Sequence, residues 1–292
     1  RICLVGSEMC IRDRIKGLLG NAIDIFKKKY LITKEGNFEG SNILIENDNY
    51  ELNENELEII NKSEKKLLDE RKKRVKPFFD DKSQTDLNSF WIYTLLHSSF
   101  VLKNKILRDK SFELLEILQK TLKNKIYHCY DKKGEIDVFL EDYAYFALVL
   151  VSFYEVTGDI KYLNKSEEIL KETWSLFYDE ETKTLQKNSQ KTNDLFVKPI
   201  DIIDNNIPNG NSIFLLTLNK ICNITENNTY KNKIENLTKS FYSLIDRNYS
   251  QMFSYYKTLD ICENNITFTF FGFNDEFQKI RDFLLLNYFE KS

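Results

Sequence analysis

Two stretches of the sequence repeat each other without gaps, offset by 68 residues: TGDIKYLNKSEEI from Thr157 and TENNTYKNKIENL from Thr225. Thr157/Thr225, Tyr162/Tyr230, Asn164/Asn232, Lys165/Lys233 and Glu167/Glu235 are identical. A weaker copy, LRDKSFELLEIL from Leu107, matches YLNKSEEILKET from Tyr162 at Lys110/Lys165, Ser111/Ser166, Leu114/Ile169 and Leu115/Leu170, offset by 55 residues. In each unit an apolar segment precedes a short turn and an amphipathic segment. One helical hairpin cannot bury its apolar face alone, so such units must stack on one another. The period is longer than that of short solenoid repeats. It fits helical hairpins with long loops at one end, which predicts a mainly all-α fold, a partial (α/α) toroid.

The rest of the chain agrees. Only 9 Gly and 3 Pro in 292 residues are too few turn formers for a β-rich fold. Apolar residues recur at helical spacing in NENELEIINKSEKKLLDERKKRV, with Leu57, Ile60 and Leu67, and in DKSFELLEILQKTL, with Phe112, Leu115, Leu118 and Leu122. Residues 86–102 and YAYFALVLVSFY (143–154) are apolar nearly all round, as a central helix would be. Gly158 is placed to end the second of these. NNITFTFFGF (264–273) alternates and is β-branched and aromatic, so a short C-terminal strand is expected there, followed by a helix over DEFQKIRDFLLLNYF.

The bulk numbers exclude several functions. A net charge of −3 gives no field that would draw nucleic acid or an anionic membrane. RKKRVK (71–76) reads as cations at a helix C-terminus, closed by Pro77, and not as a nucleic-acid patch. No uncharged apolar run is long enough to span a bilayer, and a cytoplasmic location is expected. The 5 cysteines are odd in number and none form CxxC, so neither a disulfide framework, nor a metal site, nor a cofactor is expected. Arg1–Arg14, RICLVGSEMCIRDR, continues no period of the following sequence and resembles translated adapter sequence. It is expected to be non-native and loosely attached, leaving 15–292 as one domain.

Three polar, acidic loops precede apolar helices: FFDDKSQTDLNS, YHCYDKKGEIDVFLED and KPIDIIDNNIPNGNS. Successive inner helices of a toroid run parallel, so these loops should open on one face. Asp81, Glu141, Asp142 and Asp201 are the candidate acid, base or nucleophile pair for glycoside hydrolysis, which needs two carboxyl groups. Asp80, Lys82, Thr85, Asn88, Asp204 and Asn211 are the candidate ligand-binding residues. Phe78-Phe79 is expected to anchor the first loop in the core. Capping by Asp80 or Asp81 competes with a functional role, as does first-turn dipole stabilisation by Glu141 and Asp142. Gly210 is expected at a tight turn, with Asn211 and Ser212 as caps. His97 reads as a core histidine, and nothing in the sequence pairs it with His128, which disfavours an epimerase.

Four ordered motifs, EGNFEGSNIL (35–44), LLDERKKRVKPFFDDKSQTDLNS (67–89), FLEDYA (139–144) and PIDIIDNNIPNGNS (199–212), resemble the YyaL-type thioredoxin-domain-containing family, from about Ile15 to the C-terminus. The resemblance implies a toroid similar to six-hairpin glycosidases and sugar 2-epimerases. It also implies a native N-terminal thioredoxin-like domain, missing from this chain. Leu87 and Ser89 stand where the family pattern has Trp and Gly, and Asn209 where it has Ser. A small sugar or metabolite is the expected partner. Three readings remain: a carbohydrate-active enzyme, a sugar-binding module, and a structural appendage.

Overall fold

The computed structural model describes residues 11–39, 42–123, 125–130, 136–190, 199–264, 266–268 and 275–288. The chain divides into two compact units, 1–80 and 81–292. This places a boundary inside the span that the sequence reads as one domain. The segment from Arg74 to Ser83 has no regular structure, and Pro77 forbids continuation of the helix before it.

In the first unit, α1 (Ile11–Leu19), α2 (Ile23–Lys29) and α3 (Glu54–Lys72) pack around Ile15, Leu19, Ile23, Phe26 and Ile60. The start of α3 is fixed by a reciprocal cap, in which Asn53 Oδ1 accepts the Glu56 N–H and a Glu56 carboxylate oxygen accepts the Asn53 N–H. The Arg1–Arg14 reading falls largely outside the described residues. From Ile11 the chain is already helical.

The second unit is a partial (α/α) toroid. Among the described residues, inner helices α4 (Thr85–Val101), α6 (Leu140–Thr157), α8 (Gly210–Thr225) and α10 (Phe253–Asn264) pack side by side in that order. Outer helices α5 (Lys105–Leu122), α7 (Ile160–Phe177) and α9 (Asn228–Asn248) each back the inner helix before them. A last helix, α11 (Asp275–Tyr288), returns to α4. The burial explains the composition. Every residue from Leu140 to Phe153 in α6 and from Gly210 to Cys222 in α8 is buried, so over these stretches neither helix has a face turned to solvent. Outer helix α7 buries only the stripe Leu163, Ser166, Ile169, Leu170, Thr173, Leu176 and Phe177.

The repeat is built atom by atom. Thr157 and Thr225 each end an inner helix, and their hydroxyls donate to Phe153 O and Ile221 O, one turn back, at 2.6 and 2.7 Å. The next residue in each copy is left-handed, Gly158 at φ 70° and Glu226 at φ 54°. The outer helices then begin on Asp159 and Asn227, with the weaker copy capped at the same place by Asn104. Ser111 and Ser166, identical in the alignment, are both fully buried. Ser166 donates to Ala147 O at 2.7 Å, tying outer to inner helix.

Strands differ from expectation. Residues 266–268 are irregular, and the rest of the expected C-terminal strand falls outside the described residues. A small antiparallel pair, β1 (Tyr178–Asp179) and β2 (Thr184–Leu185), follows α7 instead. No helix among the described residues is long and apolar enough to cross a membrane.

Candidate functional site

The connections that follow outer helices α5 and α7 each turn back to the start of the inner helix of their own hairpin, α4 and α6, and hydrogen-bond there. His128 O accepts the Thr85 N–H at 2.9 Å, and Ser83 O accepts the Tyr130 N–H at 3.2 Å. Lys187 O accepts the Leu140 N–H at 3.0 Å, and Pro199 O accepts the Lys187 N–H at 2.8 Å. Orphan donors at the inner-helix starts are thus consumed by neighbouring loops, which rigidifies the acidic end of the toroid.

Asp142 is the centre of this arrangement. It is 0% exposed, at the third position of α6. Its Oδ2 accepts the Phe139 N–H at 2.9 Å, capping its own helix, and its Oδ1 accepts the Asp86 N–H at 3.2 Å, capping α4. Both oxygens lie 3.1 Å from His128 Nδ1. The far ring nitrogen of His128 lies 2.9 Å from Gln84 Nε2. The hydrogen bond to Asp142 raises the His128 pKa, against the opposing effect of burial. Asp86 completes the group: one oxygen or ring nitrogen from each of Asp86, His128 and Asp142 falls within 4.8 Å of the others. Burial, then the Asp142 charge, raises the Asp86 carboxyl. These three could hold a metal ion by donor type, but the hydrogen bonds already engage both Asp142 oxygens.

Glu141, one residue earlier on the helix, faces a different side. It is 8% exposed, and its Oε2 is buried without a hydrogen-bond partner. Burial pushes its pKa up to about 7, with Lys187 opposing and Asp201 and Asp142 adding. Its carboxyl sits against the first residue of α8: a Cβ on Gly210 would stand 3.2 Å from Glu141 Cδ and 3.1 Å from Leu140 Cγ. Lys187 Nζ donates to Asp201 Oδ2 at 3.1 Å and is within electrostatic reach of Glu141 and Asp86 as well.

The structure thus brings together Glu141, Asp142 and Asp201 from the sequence candidates. Asp80, Asp81 and Lys82 are exposed on the segment before α4. Phe78 and Phe79 are 91% and 80% exposed, so they do not anchor that loop in the core. The N-cap position of α4 is held by Gln84, and not by Asp80 or Asp81. Thr85 is buried and donates its hydroxyl to Tyr127 O, while Asn88 Nδ2 donates to Gln84 O at 2.7 Å. Asn211 Nδ2 donates to Leu185 O and Asp201 O, both at 2.9 Å. The cap of α8 is Asn209, whose Oδ1 accepts the Ser212 N–H at 2.9 Å, in place of the expected Asn211 and Ser212. Gly210 is the first helical residue and not a turn. Asp204 accepts from the Asn209 amide, the Ser254 N–H at 2.7 Å and the Ser254 hydroxyl, joining its loop to α10. Sequence reasoning missed Asp86, His128 and Lys187. Of these only Asp86 carried a local signal, an acid in the first turn of an inner helix.

His97 sits apart. It packs on Tyr93 with ring centroids 3.9 Å apart. Burial, then Lys220 and Lys257, lower its pKa to about 3. Nearby, Lys220 on α8 donates to both carboxylate oxygens of Glu155 on α6, at 2.9 and 3.2 Å.

The chain matches no family model and no curated protein. Among solved structures it is similar to a cellobiose 2-epimerase from Bacillus thermoamylovorans B4167, at 17% identity and a TM-score of 0.46, over 56% of this chain and 45% of that one. The match therefore spans less than half of the epimerase. The GH76A alpha-1,6-mannanase of Salegentibacter sp. HEL1_6 aligns at 14% identity and a TM-score of 0.45, over 78% of this chain and 70% of its own. A GH76 alpha-mannanase of Bacteroides thetaiotaomicron aligns at 11% identity and a TM-score of 0.41, over 95% and 96%. At these identities the likeness says nothing about chemistry.

Proposed function

We propose that the second unit is a carbohydrate-directed toroid domain with hydrolase-like chemistry at the N-terminal ends of its inner helices. One observation carries this reading: a carboxyl oxygen of Glu141, buried and without a partner, in a setting that keeps the group protonated near neutral pH. Leaving a polar atom buried and unpaired costs about 1–3 kcal/mol. Such costs concentrate at functional sites. In this reading Glu141 gives its proton to the glycosidic oxygen as the bond to the anomeric carbon breaks. The Asp201 carboxylate, steadied by Lys187, attacks that carbon or takes a proton from the incoming water. Asp142 and His128 act one step back, by fixing the ends of α4 and α6.

A second reading, sugar binding without turnover, is favoured by the Lys187–Asp201 pair, which already occupies the second carboxylate. Relationship to the YyaL-type proteins rests on the four ordered motifs and belongs to the same proposal. The test is incubation of the full chain with a panel of oligosaccharides, followed by reducing-end release. Turnover that falls at least a hundredfold in Glu141→Gln supports the enzyme. Binding without release, unchanged in pH 5–8, supports the second reading. Neither binding nor release on folded protein rejects both.

A further inference from the structure

The turn from inner to outer helix is built three times on one plan, and one copy departs from it. In the second and third copies Thr157 and Thr225 close the inner helix through their hydroxyls, and left-handed Gly158 and Glu226 follow. In the first copy the aligned residues are Leu102 and Lys103, the latter left-handed at φ 50°, ahead of the same kind of cap at Asn104. Leu102 is 66% exposed, Val101 52% and Ile106 78%, whereas Val156, aligned with Val101, is 4% exposed. The turn therefore forms without exposed aliphatics at these positions. Beside them lies a recess of about 240 Å³, lined by Ser99, Lys103, Asn104, Lys105, Arg108 and Asp282. The Arg108 guanidinium stands over the Phe100 ring, 5.8 Å from its centroid, and Asp282 Oδ1 accepts from Arg281 at 3.0 Å. The positive end of α5 opens at the same corner.

We propose that the α4–α5 corner docks the toroid on an anionic lipid surface, with a headgroup phosphate in the recess and Val101, Leu102 and Ile106 in the interface. The proposal is independent of the carbohydrate reading. Lys103, Lys105 and Arg108 supply charge complementary to the phosphate, and Arg108 can offer it a planar fork of donors. The exposed aliphatics add burial among lipid chains. A free phosphate would use the recess and leave the aliphatic rim without a role. The net charge of −3 does not oppose docking. Helix α4 runs from the acidic end to this corner over roughly 25 Å, well beyond the screening length of about 8 Å in physiological salt.

The experiment is co-sedimentation of the full chain with phosphatidylcholine vesicles, with and without phosphatidylserine. The anionic vesicles should bind roughly tenfold or more tighter, and the gain should fade as salt rises. Two double variants install residues of the third copy, where the same turn already forms. Lys103→Glu with Lys105→Asn should lower binding to anionic vesicles roughly tenfold or more. Leu102→Thr with Ile106→Thr should lower it by a similar factor, on the order of tenfold. Melting curves of both variants check that they fold. Folded native protein that stays in solution with anionic vesicles overturns the inference, as does equal binding to both vesicle types. Binding that survives both double variants overturns it as well. Calorimetric binding of inorganic phosphate without vesicle binding makes the recess a free-phosphate site and overturns the lipid proposal. Self-association that Leu102→Thr with Ile106→Thr abolishes, again without vesicle binding, assigns the corner to a second copy and overturns it too.

Discussion

Asp142 holds His128 with both carboxylate oxygens, each 3.1 Å from Nδ1, while the same two oxygens cap the first turns of α6 and α4. One buried side chain therefore joins two inner helices and the loop between them. Asp142→Asn keeps the shape but halves the acceptor capacity. It should cost about 2–4 kcal/mol in denaturant unfolding, more than an ordinary cap, because a buried network is left incomplete. A loss below about 1 kcal/mol would show that the capping bonds, and not the network, account for its role.

The chain has 2 histidines, which makes proton resonances of the rings unambiguous. His97, with its pKa lowered to about 3 by burial and then by Lys220 and Lys257, should not titrate between pH 5 and 8. His128, raised chiefly by its bond to Asp142, should titrate above its ordinary 6.5. The linked effects on stability have opposite signs. For His128 the folded pKa is the higher, so its contribution is complete below 6.5 and lost as pH rises through the folded value. For His97 the folded pKa is the lower, so stability is lost as pH falls below 6.5. Asp142→Asn should bring the His128 midpoint down and leave His97 unmoved.

Buried Lys220 and half-buried Glu155 form an ion pair between neighbouring inner helices. Lys220→Met alone should destabilise by about 1–3 kcal/mol, since it leaves the half-buried Glu155 without its partner. Lys220→Met with Glu155→Leu should recover most of that loss. A double variant as unstable as the single one would show that the pair is not exchangeable for apolar packing.

Gly210 is tight without being left-handed. A methyl at this position meets Leu140 Cγ at 3.1 Å and Glu141 at 3.2 Å. Gly210→Ala should cost about 1–3 kcal/mol and shift the Glu141 carboxyl. Ala is the better helix former, so a gain in stability would show that Glu141 moves aside freely.

The hairpins were legible because their causes are local. Apolar-all-round and striped helices alternate in the sequence as they do in space, and the 68-residue repeat marks the same Thr–turn–Tyr corner twice. Glu141, Asp142 and Asp201 were legible as acids leading into apolar helices. What the sequence hid depends on distance in the fold. His128 meets Asp142 only because the loop after α5 turns back to the start of α4, and nothing in YHCYDKK announces that turn. Lys187 reaches Asp201 through the backbone bond of residue 187 to Pro199. Helix α10, FSYYKTLDICEN, went unread because it lacks a clean apolar period, with Tyr255 and Thr258 its buried residues. Phe78-Phe79 misled because two adjacent aromatics resemble an anchor wherever they fall.

The Glu141 carboxyl is the centre of the account, and its titration is the most direct test. Burial raises its pKa to about 7 from 4.5, so the folded state binds the proton more tightly than the unfolded one. Stability attributable to this group is complete below 4.5 and falls as pH rises through 7. Difference infrared or carbon NMR spectra of native protein minus Glu141→Gln should show one carboxyl with a midpoint near 7. The variant should gain on the order of 1–3 kcal/mol over native protein at pH 8 relative to pH 4. A Glu141 carboxyl that is fully ionised by pH 5 would contradict the account.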